Sequence, residues 1–506
     1  MHVVKESVAI IGAGPAGLIT ARWLAEHGFE PVLFEAADKL GGQWNTANAA
    51  SATWRGMRTN TSRIMSAFSD LDHAADVATY PRQDQMFAYL ERYAARFDLV
   101  RRIRFDTRVL RLEAAPHGAW TIRSRTGGVE QEESFRRVIV ATGAQSSTDV
   151  PEIRGMESFA GRLGMVHAAQ YDGPERYRGH SVLVAGASIS ALEIAADLAF
   201  NQARVISTAR RQRYILPKLI GGVPTEHVMF TRAATLAGEI LPPEAQAEGL
   251  KAAVLRAGGS PEQYGAPAPD ADIFAAGISQ SQSFLPAVAE GRITMRPWID
   301  LIDGDKVYFS DGTVDAPDAI VFATGYRLSL PWLAPEIAAT LAFDGNGLDL
   351  HAHTFHPELP GLAFVGLYNL VGPFLPVLEL QARWIAYTLT GLVPPPSSAE
   401  MNRGLASCRE MRSRAQQPVL HALAVTLARA AGVEPDLRDF PHLERALLFG
   451  PLSPVSFRLH GPDRLEDAAA RTMAAAEAFG AIRGEGFTPD ESRMRNLLGL
   501  ASSAAA

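Results

Sequence analysis

Val8-Ala-Ile-Ile-Gly-Ala-Gly-Pro-Ala-Gly17 is an apolar run that ends in the pattern G-x-G-x-x-G and leads into a helical stretch. That order of strand, glycine turn and helix is the sequence form of a dinucleotide-binding βαβ unit. Gly12 makes the tight turn, Gly14 lets the backbone approach a pyrophosphate, and Gly17 lets helix and strand pack closely. Pro15 and Ala16 open the helix at the place where a missing or unsatisfied N–H costs least. The helix reads through His27, and Pro31-Val-Leu-Phe-Glu35 reads as the second strand, whose terminal acid, Glu35, can bond a ribose hydroxyl. Glycines that merely shape a turn are the plain alternative, but strand, helix and terminal acid together favour a nucleotide.

A second unit follows the same plan. Ser181-Val-Leu-Val-Ala185 precedes Gly186-Ala-Ser-Ile-Ser-Ala191, a helix runs to about Asn201, and Ala203-Arg-Val-Ile-Ser-Thr208 is the next strand. Ser188 and Ala191 replace the second and third glycines, and with Gly186 and Ser190 they are the candidate contacts to the second nucleotide. A serine adds a Cβ where backbone should approach phosphate, although its hydroxyl can donate. Arg210 and Arg211 stand where Glu35 stands in the first unit, and arginine there accommodates a 2′-phosphate, which points to NADPH rather than NADH. An arginine run is otherwise a solvated face. One chain holding two nucleotides reads as an enzyme that passes electrons between them.

The bulk numbers agree. A chain of 506 residues suggests roughly three domains, and an apolar fraction of 47% can bury large cores. A net charge of -7 without charge blocks argues against nucleic acid or an anionic membrane as partner. Cys408 is the sole cysteine, so there is no internal disulfide and no paired-thiol redox centre, which excludes the disulfide reductases. The N-terminus enters the first strand directly, with no signal peptide, and no apolar stretch nears the roughly 20 residues of a membrane span. A cytoplasmic protein with no metal site is expected.

Further motifs carry a resemblance: Lys39-Leu-Gly-Gly-Gln-Trp44, Arg58-Thr-Asn-Thr-Ser62, Phe68-Ser-Asp70, Tyr80-Pro81, Val140-Ala-Thr-Gly143 and Phe322-Ala-Thr-Gly-Tyr326. In this order they resemble the flavin-containing monooxygenases, class B flavoprotein monooxygenases of the N/S-oxygenating type. The resemblance runs to about residue 395. It implies an α/β fold of two Rossmann-like dinucleotide-binding domains, with FAD on the first turn and NADPH on the second. It also implies that Gly41, Gly42, Gln43 and Trp44 cover the flavin, and that Ala141, Thr142, Gly143, Ala323, Thr324 and Gly325 are chain crossings between the domains. Val109 and Thr61 join the implied cofactor contacts, and Gln381 is implied to reach the isoalloxazine edge, a helical surface glutamine being the alternative. Asn60 is implied to sit beside flavin and nicotinamide, where an amide donates and accepts without titrating. An Asx-type turn is the other reading of an Asn between two Thr.

Phe159, Gly161, His167 and Tyr171 resemble the family's F-x-G-x-x-x-H-x-x-x-Y fingerprint, but the stretch from Gly161 to His167 is two residues longer. His167 is expected to link domains by a hydrogen bond. Tyrosine at 171, where Baeyer-Villiger relatives usually have tryptophan, favours oxygenation of nitrogen or sulfur.

The domain plan expected is FAD domain 1–171, inserted NADPH domain 172–321, FAD domain resuming over 322–395, and a mainly helical extension 396–506 after Pro394-Pro-Pro396. Residues 217–286 show no chemical motif and read as a lid or decoration. In the extension, residues 464–482 read as an amphipathic helix that covers the active site, makes a dimer contact or packs on the FAD domain. What the resemblance implies chemically is hydride transfer from NADPH to FAD, then reaction of the reduced flavin with O2 at C4a, giving a hydroperoxide that oxygenates a soft amine or thioether. A Baeyer-Villiger oxygenase acting on ketones, and an uncoupled NADPH oxidase or redox sensor, are the competing readings.

Overall fold

The computed structural model describes residues 5–48 and 51–500 of the chain; the expectations about the first four residues and the extreme C-terminus lie outside them. Two five-stranded sheets organise the molecule, and every strand pairing within each is parallel. The first sheet runs Leu362–Phe364, Val138–Val140, Ser7–Ile11, Glu30–Phe34, Ile103–Arg104. The second runs Ile293–Arg296, Arg204–Thr208, Ser181–Ala185, Ala319–Phe322, Gly164–His167. Val8 to Ile11 and Val182 to Ala185 are buried throughout, as expected of central parallel strands covered on both faces. In each sheet the strand leading into the glycine turn has neighbours on both sides that the chain reaches in opposite directions. That is the switch point at which such sheets bind ligands.

The two A-T-G exits meet at the crossing between the sheets. Ser147–Thr148 pairs antiparallel with Tyr326–Arg327. Asp149 N donates to Gly325 O at 3.0 Å, and the Thr324 hydroxyl donates to Asp149 O. Gly164–His167 lies N-terminal to the expected boundary at 172 yet belongs to the second sheet, paired with Ala319–Phe322.

The tail departs from expectation. Residues 464–467 are not helical: Leu465 N donates back to Arg458 O, and the helix is only Ala468–Glu477. The helix Leu420–Ala430 packs with Leu375–Thr390, which in turn packs on Pro15–Glu26, so Leu423, Leu427 and Phe457 share one apolar core with Ile10 and Trp23. The tail thus packs on the first half, one of the three roles considered for it. Residues 217–286 are also more than decoration. Their helix Arg232–Ile240 packs on Leu420–Ala430, and Arg232, 3% exposed, pairs with Glu434 at 2.8 Å. No helix among the described residues is long and apolar enough to cross a membrane.

Candidate active site

At the first turn Gly12 has φ +106° and donates its N–H to Phe34 O at 2.8 Å. A Cβ there would lie 2.6 Å from Ala141 O, and one at Gly17 only 2.0 Å from Gly12 O. Strand, turn and helix therefore touch backbone to backbone. The helix Pro15–Glu26 has no side-chain cap at Gly14 and no acid in its first turn. Its free N–H groups and dipole are left for an anion. The Gly41-Gly42 segment lies directly on this turn. Gly41 N donates to Ala13 O at 3.0 Å, and a Cβ on Gly14 would stand 3.4 Å from Gly42 Cα. Behind it, Gln43 O accepts from the Ser51 and Thr53 hydroxyls, and Gln83 donates to Trp44 O.

Glu35 is buried at the end of its strand. One carboxylate oxygen accepts from Ala13 N at 2.7 Å and the other from Ala37 N at 2.9 Å. Burial raises its pKa while these N–H groups oppose the rise, and each oxygen keeps a lone pair for a ribose hydroxyl. The Thr142 hydroxyl is buried beside the turn with no partner, an orphaned donor that a bound ligand would satisfy. Val109 packs with Phe34 and Val140. These residues fit a dinucleotide.

The second turn repeats the construction. Gly186 N donates to Thr208 O at 2.8 Å, and a Cβ on Gly186 would meet Ala323 O at 2.3 Å. Ser188 takes the helix N-cap position with φ -82°, ordinary for any L-residue, so its Cβ brings no backbone strain. Its hydroxyl does not cap the helix; it stands 3.5 Å from Ala323 O, at the limit of a hydrogen bond. Arg210 and Arg211 are exposed past the second strand, Arg210 over the Trp298 ring and Arg211 donating to Ala275 O at 3.1 Å. Both guanidinium groups keep free donors for a phosphate.

The Asn60 segment and the second turn meet at one cavity. Asn60, Trp54, Met57 and Arg58 line it from one side, and Ile189, Ser190 and Glu193 line it from the other, around a volume of about 40 Å³. A larger cleft of about 160 Å³ lies among Arg111, Glu113, Arg123 and Glu132 on the three-stranded antiparallel sheet, away from both turns. Asn60 forms no Asx turn. The Thr59 hydroxyl donates to Thr61 O at 2.7 Å and the Thr61 hydroxyl bonds that of Ser66 at 2.8 Å, leaving the Asn60 amide unbonded to the described residues. Trp54 stands edge-on to Tyr171, whose hydroxyl donates to Asp197 Oδ2 at 2.6 Å. His167 Nδ1 accepts from Ala169 N, so Nε2 carries the proton and donates to Gly325 O at 3.0 Å, the inter-domain link expected. Burial lowers its pKa and favours that neutral form.

Gln381 corrects the sequence reading twice over. It is fully buried, not a surface residue, and its amide is saturated by protein. Nε2 donates to His353 O and Thr354 Oγ1, and Oε1 accepts from Gly366 N and the Tyr368 hydroxyl. With four bonds made, the amide has nothing left for a flavin edge. Its place is to order the Gly366–Tyr368 turn, where a Cβ on Gly366 would lie 3.6 Å from the Ala16 Cβ of the first helix.

Sequence reasoning overlooked Trp54, Glu193, Glu226 and His227. Glu193 had a signal, being one of two acids, with Asp197, in a mostly apolar helical run; it binds Lys218 Nζ at 2.6 Å and the Ser281 hydroxyl at 2.8 Å. The Glu226–His227 pair had none, since its partner, Ser62, is distant in sequence. Among the described residues no cluster could hold a metal ion.

The sequence model of the flavin-binding monooxygenase-like family matches residues 5–479, so the resemblance extends well past residue 395 into the tail. Dimethylaniline monooxygenase (N-oxide-forming) 2 of Cavia porcellus is 30% identical over 492 residues, 92% of this chain and 90% of that one. Flavin-containing monooxygenase 2 of Homo sapiens is 29% identical with the same coverage. Among solved structures, S-allyl-L-cysteine S-oxygenase from Allium sativum superposes with a TM-score of 0.62 at 21% identity, over 99% of this chain and 100% of that one. Cyclohexanone monooxygenase from Rhodococcus sp. Phi1, bound to NADP+, gives 0.64 at 18% identity, over 85% and 97%. These likenesses confirm the two-domain, Rossmann-type α/β fold. With two equivalent glycine turns, an acid closing one, arginines following the other and a cavity between the Asn60 segment and the second turn, the chain belongs to the flavin-binding monooxygenase-like family, oxidoreductases that use FAD and NADPH.

Proposed function

We propose that this monooxygenase oxygenates a soft nitrogen or sulfur nucleophile of a small molecule, using O2, with Asn60 as the residue that handles the reacting oxygen. The observation that carries the reading is the cavity lined jointly by Asn60 and Ser190, because it joins the segment assigned to the flavin with the turn assigned to NADPH. Bound FAD, once reduced by NADPH, supplies the activation of oxygen. The chain's own residues bind and exclude. Gly12, Gly14, Pro15, Ala16 and Gly17 present the N–H end of the first helix to the FAD diphosphate, and Glu35 accepts from its ribose. Gly42, Gln43, Trp44, Thr142, Gly143 and the backbone at Val109 complete that half. Gly186, Ser188, Ser190 and Ala191 do the same for NADPH. Asn60 offers two donors and an acceptor that do not titrate, suited to holding a group that must not be protonated early. A nitrogen or sulfur lone pair needs no protein base to attack an electrophilic oxygen, in keeping with a cavity whose one carboxylate, Glu193, is bound to Lys218 and Ser281.

The division of labour we propose follows the expected plan, with FAD on the half built from residues 1–171 and 322–395, and NADPH on the half formed by 172–321. The second half also takes in the strand Gly164–His167. A cytoplasmic address and a homodimer belong to the same proposal; the single Cys408 makes no disulfide demand on the compartment.

Turnover of the FAD-loaded protein with NADPH, O2 and, in turn, a tertiary amine, a thioether and a cyclic ketone tests this. N-oxide or sulfoxide supports the reading. Lactone alone would move the assignment to Baeyer-Villiger chemistry, and peroxide alone to an NADPH oxidase. Replacing Asn60 with alanine is expected to raise the peroxide formed per NADPH about tenfold, the loss of one positioned hydrogen bond to a charged group. Removing both Arg210 and Arg211 is expected to cut the preference for NADPH over NADH about a hundredfold in kcat/KM, leaving NADH turnover unchanged. Equal losses with both cofactors would show that the arginines do not read the 2′-phosphate.

A further inference from the structure

We propose that Glu226 and His227, in the segment without a readable motif, are positioning residues that clamp the Asn60 loop over the second dinucleotide turn. This rests on the reading of Asn60 given above. The helix Thr225–Met229 carries both, at 1% and 0% exposure, beneath Ser62, which is itself fully buried. Ser62 N donates to Glu226 Oε1 at 2.5 Å, and Ser62 Oγ lies 2.8 Å from His227 Nε2. The same loop is held on its other side by residues 77–81, through Thr59 N to Pro81 O at 2.9 Å, Arg63 N to Thr79 O at 2.7 Å and the Arg63 guanidinium to Val77 O at 3.1 Å. Asn60 thus sits between two anchors, and only the one at Ser62 comes from the NADPH half.

That anchor is tied into the cavity wall. Thr225 N and the Tyr80 hydroxyl both donate to Lys218 O, and Lys218 Nζ reaches Glu193, which lines the cavity opposite Asn60. The tail closes the back, with the Phe479 ring edge-on to His227 and the Arg63 guanidinium over the same ring. Glu226 Oε2 and His227 Nδ1 are buried without partners, so the pair is costly for stability alone.

The charge state of the clamp gives it a pH signature. Burial pushes the Glu226 carboxyl up to about 7, against the pull of the Ser62 N–H and of Lys218, while burial alone lowers His227 to about 4 and keeps it neutral. The other groups facing Glu226 are the Tyr80 phenol, raised by burial and by Glu226 itself, and Lys218 with its partner Glu193. Above pH 7 the carboxylate accepts from Ser62 at full strength, and below it the bond weakens. Global stability runs the other way. A carboxyl raised above its unfolded value of 4.5 contributes stability at low pH that is lost as pH rises through about 7. Clamp and fold therefore carry opposite pH signs.

Glu226→Gln is near-isosteric and mimics the protonated acid. In the FAD-loaded protein without NADPH, amide protection factors at residues 61–63 are expected to fall about tenfold at pH 8 and to match the parent at pH 6. Peroxide per NADPH should rise in Glu226→Gln, but no further in Asn60→Ala/Glu226→Gln than in Asn60→Ala. Restoration by Glu226→Asp of at least part of the pH 8 protection would support the clamp. Unchanged protection at pH 8, or additive peroxide effects in the double variant, overturns the proposal. If Asn60→Ala alone leaves peroxide unchanged, the reading of Asn60 falls instead, and the protection factors still decide whether the clamp exists.

Discussion

Protein carrying Gly17→Ala is expected to purify without flavin. The added methyl would sit 2.0 Å from Gly12 O and 2.9 Å from Gly12 C, both backbone atoms of the turn itself. No rotamer relieves such a clash; the helix Pro15–Glu26 must move off its strand, carrying its N-terminal N–H groups away from the diphosphate. Overpacking of this kind costs about 3 kcal/mol or more, equivalent to a loss of at least about a hundredfold in flavin affinity. Flavin absorbance per protein and a titration of the apoprotein with FAD would measure it. The second turn is the internal control. Alanine is native there at position 191, 1% exposed, so Ala191→Gly should change NADPH affinity little. Parental flavin content in Gly17→Ala would show that the turn has slack the structure does not contain.

Arg458→Ala is expected to destabilise the protein by about 3–5 kcal/mol, the cost of leaving a buried ionic partner uncompensated. Arg458 comes from the tail and is 3% exposed. It donates to Asp70 Oδ1 at 2.7 Å, to the Ser69 hydroxyl at 2.6 Å and to Asp463 O at 2.7 Å. Ser69 also donates to Glu379, which is buried in the helix Leu375–Thr390, and burial and the charge of Asp70 raise the Glu379 pKa against the pull of Arg458. Without the guanidinium that pull vanishes and the carboxyl rises further. A raised carboxyl contributes stability that is lost as pH rises through its folded value, so the deficit of Arg458→Ala should widen from pH 5 to pH 8. Urea unfolding at the two pH values, followed by flavin release and by tryptophan emission, is the measurement. A deficit below about 1 kcal/mol, or one independent of pH, would mean that the tail is dispensable to the core of the first half.

Much of this architecture was legible before folding because its determinants are local. Gly12, Gly14, Gly17 and Glu35 act at fixed offsets along one βαβ unit, and the turn at Gly186 could be read despite Ser188 because the strand and helix around it were intact. Arg210 and Arg211 were readable by analogy of position, the place just after the second strand being set by the unit's own geometry. Gln381 was misread because a glutamine in a helix carries no mark of which face is buried, nor of the four partners that saturate it. The 19-residue reading of residues 464–482 failed because apolar spacing persists through a loop that is packed as tightly as the helix after it.

Short-range order along the chain was therefore enough to establish two dinucleotide turns, the charge demands at each and the class of chemistry, since those depend on dihedral angles and neighbours a few residues away. Contacts between distant segments were not recoverable that way. The joint cavity of Asn60 and Ser190, the Ser62–Glu226–His227 contact and the burial of Arg458 beside Asp70 and Glu379 each bring together side chains from separate parts of the chain. Their pairing is selected by the desolvation of polar groups in a shared core, where an unmatched charge is too costly to persist, and that condition exists only once the segments are packed.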